Sequence, residues 1–152
     1  MDRKQIMKYA FAAGVVLGVT AAVLILARGC GQEKKVEAMG PEEVAVCFCR
    51  AMAAGDFTGA RELCDTSAMK TYLEDYVEAW EMQQRKDSSA VRIAGQILSN
   101  AEIVTESVEK KDGKRIVTYT IEVSEGLKKT RTATVKKMED GEWKVEEITD
   151  RN

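Results

Sequence analysis

The sequence predicts an α+β domain in which three helices precede and cover a four-stranded antiparallel sheet. Three observations predict it. Apolar residues recur at helical spacing from Pro41 to about Gln84, and beyond Ile97 the period falls to two. Two Asp-Gly pairs, Asp112-Gly113 and Asp140-Gly141, sit between the period-two segments, where hairpin turns need positive φ.

Ahead of that domain, Tyr9 to Ala27 is a run of nineteen residues without a charge, between Arg3, Lys4 and Lys8 on one side and Arg28 on the other. As a helix it would span about 28 Å, close to a bilayer core, and it has no polar face. Residues 1–30 are therefore expected to form an export signal or membrane anchor. Two readings stay open there. Ala27-Arg28-Gly29-Cys30 resembles a bacterial lipobox, which implies cleavage before Cys30 and lipid attachment to its sulfur. The length of the apolar run and the charges on both flanks fit an uncleaved signal anchor instead. Both readings place the domain outside the cytoplasm, tethered to the membrane of a bacterial cell envelope. Residues 31–40, GQEKKVEAMG, are polar and aperiodic and read as a spacer.

The domain is expected over 41–152. Pro41 suits a first helical turn, Glu42 and Glu43 favour its positive end, and Val44, Cys47, Phe48, Ala51 and Met52 form a stripe that Gly55 ends. Asp56 caps a second short helix carrying Phe57, Ala60, Leu63 and Cys64. A third, capped by Thr66 or Ser67, carries Met69, Tyr72, Leu73, Tyr76, Val77 and Trp80. Residues 88–96 read as either a further helical turn or a loop. In the second half Val117, Tyr119, Ile121 and Val123 face one way, and Thr118, Thr120 and Glu122 the other. A turn at Ser124-Glu125-Gly126 leads to a strand from Leu127 to Met138, and Trp143 and Val145 alternate with Lys144 and Glu146 in the last one.

Composition removes many chemistries. The chain of 152 residues has no His, which excludes Ser-His-Asp and Cys-His catalysis and His-ligated metal. Its net charge of -2 divides into 6 Lys/Arg against 3 Asp/Glu over residues 1–40 and 17 against 22 afterwards. The domain is thus acidic and repels phosphate backbones, so no nucleic-acid partner is expected. Four Cys remain. Cys47 and Cys49 point about 200° apart on one helix and cannot bond each other or clamp a metal together. Cys47 and Cys64, on neighbouring helices, either form a disulfide or stay as buried thiols. No metal and no cofactor are expected. Lys128, Lys129, Arg131, Lys136 and Lys137 gather on one strand, where they read as charges that blunt a sheet edge rather than as a lipid-binding patch.

PEEVAVCFCRAMAAGDFTGARELC at 41–64 and DGEWKVEEI at 140–148 resemble the superfamily named after nuclear transport factor two, the cystatin-like cone, and more narrowly small bacterial lipoproteins with a domain of unknown function. That resemblance implies a curved sheet wrapped round a helix as a cone, and homodimers formed through the open sheet face. Enzymes of the superfamily place acid–base groups inside the cone. Here Tyr72, Tyr76 and Tyr119 face inward, without a carboxyl group clearly beside them. The expectation is therefore a non-enzymatic domain in which Tyr72, Tyr76, Trp80 and Tyr119 line a cavity for a small apolar ligand or a protein partner. Two alternatives are a cavity enzyme using Tyr with a carboxylic acid, marked by a buried carboxyl beside Tyr119, and a structural domain with a filled cone.

Overall fold

A computed structural model describes residues 30, 39–124 and 126–151 of the chain. Among them are helices α1 (Pro41–Ala54), α2 (Phe57–Glu62), α3 (Lys70–Lys86) and α4 (Ser88–Ser99), then strands β1 (Glu102–Lys111), β2 (Lys114–Ser124), β3 (Leu127–Lys137) and β4 (Trp143–Asp150). The strands form one antiparallel meander in the order β1-β2-β3-β4.

Local chemistry sets the helix boundaries. α1 starts with Pro41 and has Glu42 and Glu43 in its first turn. It stops at Gly55, whose φ of 74° lets the Gly55 and Asp56 amides donate back to the Met52 and Ala51 carbonyls. A side chain at Gly55 would also strike Trp80, 2.9 Å from the position of its Cβ. Asp56 then caps α2 by accepting from the Gly59 amide at 3.0 Å. The cap expected from Thr66 or Ser67 on α3 is not made. Asp65 accepts instead from the Ser67 and Ala68 amides, so the turn closes one residue earlier in the chain. Residues 88–99 are a fourth helix, fixed by Asp87, which accepts from the Ala90 amide at 3.0 Å. A capping carboxylate just ahead of Ser88 decides between the loop and the helix that the sequence leaves open.

The sheet follows its turn residues. Asp112 and Gly113 both have positive φ, 51° and 77°, in the two-residue loop between β1 and β2. Asp140-Gly141 behaves differently, with only Gly141 at positive φ. The Gly141 amide donates to Met138 O, the Met138 amide to Glu142 O, and Asp140 accepts from the Glu142 amide, so the loop is longer than a two-residue turn. β3 lies between β2 and β4, so its cations do not blunt an edge as expected. Lys128 pairs with Glu122 on the outer face at 3.3 Å, and Lys137 lies 5.7 Å from the centroid of the Trp143 ring. The β4 edge is partly covered by the chain after α2, where the Asp65 amide donates to Val145 O and the Val145 amide to Leu63 O.

The helices cover one face. Val44, Phe48 and Met52 of α1, with Met69 and Leu73, pack on Val117, Tyr119, Ala133, Val135 and Val145 in one core. This overturns the expected cone. The sheet is an open meander that does not close, and α1 with its large side chains fills the space that an enclosed cavity would need. The outer face carries Thr118, Thr120, Thr130 and Thr132 with charged neighbours, and the Thr120 and Thr130 hydroxyls meet at 3.0 Å. Nothing among the described residues supports the expected homodimer through this face or a protein partner.

The expectations about the membrane are also corrected. Among the described residues no helix is long and apolar enough to cross a membrane. The segment from Tyr9 to Ala27 lies outside the described residues, and nothing within them carries a signal, an envelope tether or an envelope location. Cys30 is bonded to Cys47, with Cα atoms 5.4 Å apart, and that bond takes up the sulfur that lipid attachment would use. The same bond overturns the alternative bridge between Cys47 and Cys64, since Cys64 stays a buried thiol. Titration of the denatured, unreduced protein should therefore find two free thiols, Cys49 and Cys64, and four after reduction. A single free thiol, or four before reduction, would contradict this pairing.

Candidate functional site

Beside the core, between α1, α3 and the inner face of the sheet, a cleft of about 190 Å³ opens to the surface. Strand alternation builds one wall. On the inner face Tyr119 pairs with Arg131, and Arg131 with Asp150, while Ile121 pairs with Lys129. α1 adds Phe48, Cys49 and Met52, and α3 adds Tyr72 and Tyr76 one turn apart. The Phe48 and Tyr72 ring centroids are 6.3 Å apart, and Tyr72 and Tyr76 stack at 6.2 Å.

A charged cluster on β3 and β4 borders this aromatic cleft. Arg131 donates from Nε to Asp150 at 2.8 Å, and Lys129 approaches the other carboxylate oxygen at 2.7 Å. Two cations and one carboxylate leave the cluster one positive charge in excess. Lys129 above all, with Arg131, holds the Asp150 carboxyl below its ordinary value. Burial disfavours the charge of Arg131, but the hydrogen-bonded Asp150 carboxylate opposes it, and on balance the guanidinium pKa is raised.

Next to that cluster, the groups are neutral. Burial raises the pKa values of Tyr72, Tyr76 and Tyr119, so all three phenols keep their protons at neutral pH and can donate hydrogen bonds. Burial likewise raises that of the Cys49 thiol, although Arg131 and the hydrogen-bonding Tyr119 hydroxyl oppose the shift. Cys49 is thus a protonated thiol and a poor nucleophile at neutral pH. Cys64 lies elsewhere in the core and is pushed up to about 11, chiefly by burial.

Of the four residues expected to line a cavity, the fold brings three together. Tyr72, Tyr76 and Tyr119 line the cleft, whereas Trp80 does not. Trp80 lies one turn beyond Tyr76 along α3, packs edge-on against Phe57 at 5.5 Å, and borders a separate shallow groove of about 490 Å³ between α1, α3 and α4. That groove is larger, but small side chains such as Ala53, Ala54, Ser88 and Ser89 line it, and Arg92 is the charged residue among its described lining.

The charged half of the cleft is what sequence reading misses. Its signal is a matter of phase: Lys129 and Arg131 stand in step with the buried Ala133 and Val135, so both belong to the inner face. A cation in phase with an apolar stripe is a charge brought inward. Among the described residues no group of His, Cys, Asp and Glu is arranged to hold a metal ion. Compared with protein-family models, curated proteins and solved structures, the chain matches none. The resemblance to the cone superfamily therefore rests only on the residues quoted for it.

Proposed function

We propose that the chain is a binding module for a small organic anion, taken up in the cleft between α1, α3 and the sheet. The observation that carries this reading is the single excess positive charge of Lys129, Arg131 and Asp150 bordering an aromatic and aliphatic cleft. A carboxylate neutralises that charge, and the apolar body of the ligand lies against the half-buried Tyr72, Tyr76 and Ile148. This replaces the apolar ligand in an enclosed cone, because the space is open and its border is cationic.

Binding fits these groups better than the catalytic alternative. Oxyanion stabilisation of the kind seen in ketosteroid isomerase, where a neutral acid stands beside a tyrosine, needs a carboxyl kept protonated. The carboxyl of this cleft is Asp150, which its two cations keep ionised. The titratable groups that act on Tyr119 are Cys49, Arg131 and Tyr72.

Calorimetric titration of the full chain with hexanoate and with hexanamide, which has the same body without the charge, tests the reading. Hexanoate should bind at least about tenfold more tightly, because a hydrogen bond to a charged group adds about 1.5–3 kcal/mol. Equal affinities, or no binding of either compound, would overturn it.

A further inference from the structure

Taking the anion reading as its basis, we infer that the natural occupant is a single-ring aromatic carboxylate, with its ring against the half-buried Tyr72 and Tyr76 and its carboxylate at Arg131 and Lys129. Three features of the cleft lead to this class. The first is the pairing of its chemistry, with aromatic walls next to two cations, the exposed Lys129 and the more deeply set Arg131. An occupant must match both halves, which excludes small inorganic anions and uncharged hydrocarbons alike.

The second is the arrangement of the rings. Phe48 and Tyr72 are tilted by 41° at 6.3 Å, and Tyr72 and Tyr76 lie within 28° of parallel at 6.2 Å. These spacings are the ones that aromatic side chains adopt with one another, and a planar ring on this surface gains offset-stacked and edge contacts that a puckered or flexible body of the same size does not. Tyr72 and Tyr76 remain uncharged at neutral pH, so their rings do not repel a carboxylate.

The third is size. At about 190 Å³ the cleft is well below the range of about 300–1,000 Å³ typical of sites for drug-sized ligands, which suits a small body such as a single ring. A single ring with one carboxylate satisfies all three features without filling the neighbouring groove.

Benzoate, cyclohexanecarboxylate and benzamide separate the contributions. Titrated into the full chain, benzoate should bind about five- to tenfold more tightly than cyclohexanecarboxylate, the gain expected of ring–ring contacts beyond area burial. Benzamide, with the ring but no charge, should bind more weakly than either acid. In NMR spectra the benzoate ring current should shift the Tyr72 and Tyr76 ring protons and the Arg131 Nε–H. If the two acids bind equally, the aromatic class is wrong while the anion reading survives. If benzamide binds as well as benzoate, the anion reading itself falls. Shifts confined to the groove around Trp80 would place the site elsewhere and overturn both.

Discussion

Replacing Phe48 with Ala should cost about 3–5 kcal/mol of folding stability, the range for deleting a buried Phe side chain and leaving a cavity. Phe48 is only 1% exposed and is among the largest fully buried side chains. It lies on the face of α1 that the sheet covers, beside Met52 and against the Tyr72 ring. Relaxation cannot readily close the gap, because the sheet beneath is held by its ladders and α1 is fixed at both ends, by Pro41 and by Gly55. Domains of this size have total stabilities of about 5–15 kcal/mol, so the variant should be close to unfolding at 37 °C. Urea denaturation of wild type and F48A gives the difference directly. A loss below about 1 kcal/mol, typical of a surface substitution, would mean that α1 does not seat on the sheet as described.

Much of this fold is legible residue by residue. The alternation of Val117, Tyr119, Ile121 and Val123 fixes both the strand and its inner face, and Asp112-Gly113 fixes the register of the first hairpin. Gly55 and Asp56 together mark the end of one helix and the start of the next. These are local signals, decided by a few consecutive residues. What sequence reading misses is decided by tertiary context. α4 carries Gly95 in its middle, and that glycine weakens a helical pattern but lets the helix approach the Ala53 carbonyl of α1, where a Cβ would sit at 3.1 Å. The Cys30–Cys47 bond spans 17 residues and follows no local rule. β3 reads as an edge because it is rich in lysine, yet its cations sit at the strand ends and on the inner face, where they find Glu122 and Asp150.

The candidate site divides in the same way. Tyr72 and Tyr76 are one helical turn apart, and Tyr119 shares their side of the core by strand parity, so three of its members can be named from spacing alone. Arg131 and Asp150 are 19 residues apart on neighbouring strands. A bulge between Thr134 and Val135 shifts the β4 register between them, so counting residues by twos from Val145 puts Asp150 on the wrong face. Trp80 continues the α3 stripe and for that reason reads as a fourth member. The indole instead covers Gly55 and packs on Phe57.

Arg131→Leu should weaken carboxylate binding by about 10- to 100-fold, the loss of a hydrogen-bonded charge of about 1.5–3 kcal/mol. It should also change how the protein responds to acid. With its pKa held below the ordinary 3.8 in the folded state, Asp150 contributes stability that is complete above its unfolded value. That contribution disappears as pH falls through the folded value. Removing Arg131 leaves Lys129 as the cationic partner of Asp150 among the described residues, so the Asp150 pKa should rise part of the way back and the contribution above pH 4 should shrink. Two measurements on one variant check both halves: calorimetric titration with hexanoate, and an NMR titration of the Asp150 carboxyl carbon. If R131L binds hexanoate as tightly as wild type while the Asp150 pKa rises, Arg131 serves the sheet and not the ligand. If neither changes, the cluster bordering the cleft is not formed in solution. Because the leucine retains an apolar stem in the half-buried strand position, urea denaturation at pH 7 should show a small change in stability, which separates the loss of binding from a loss of fold.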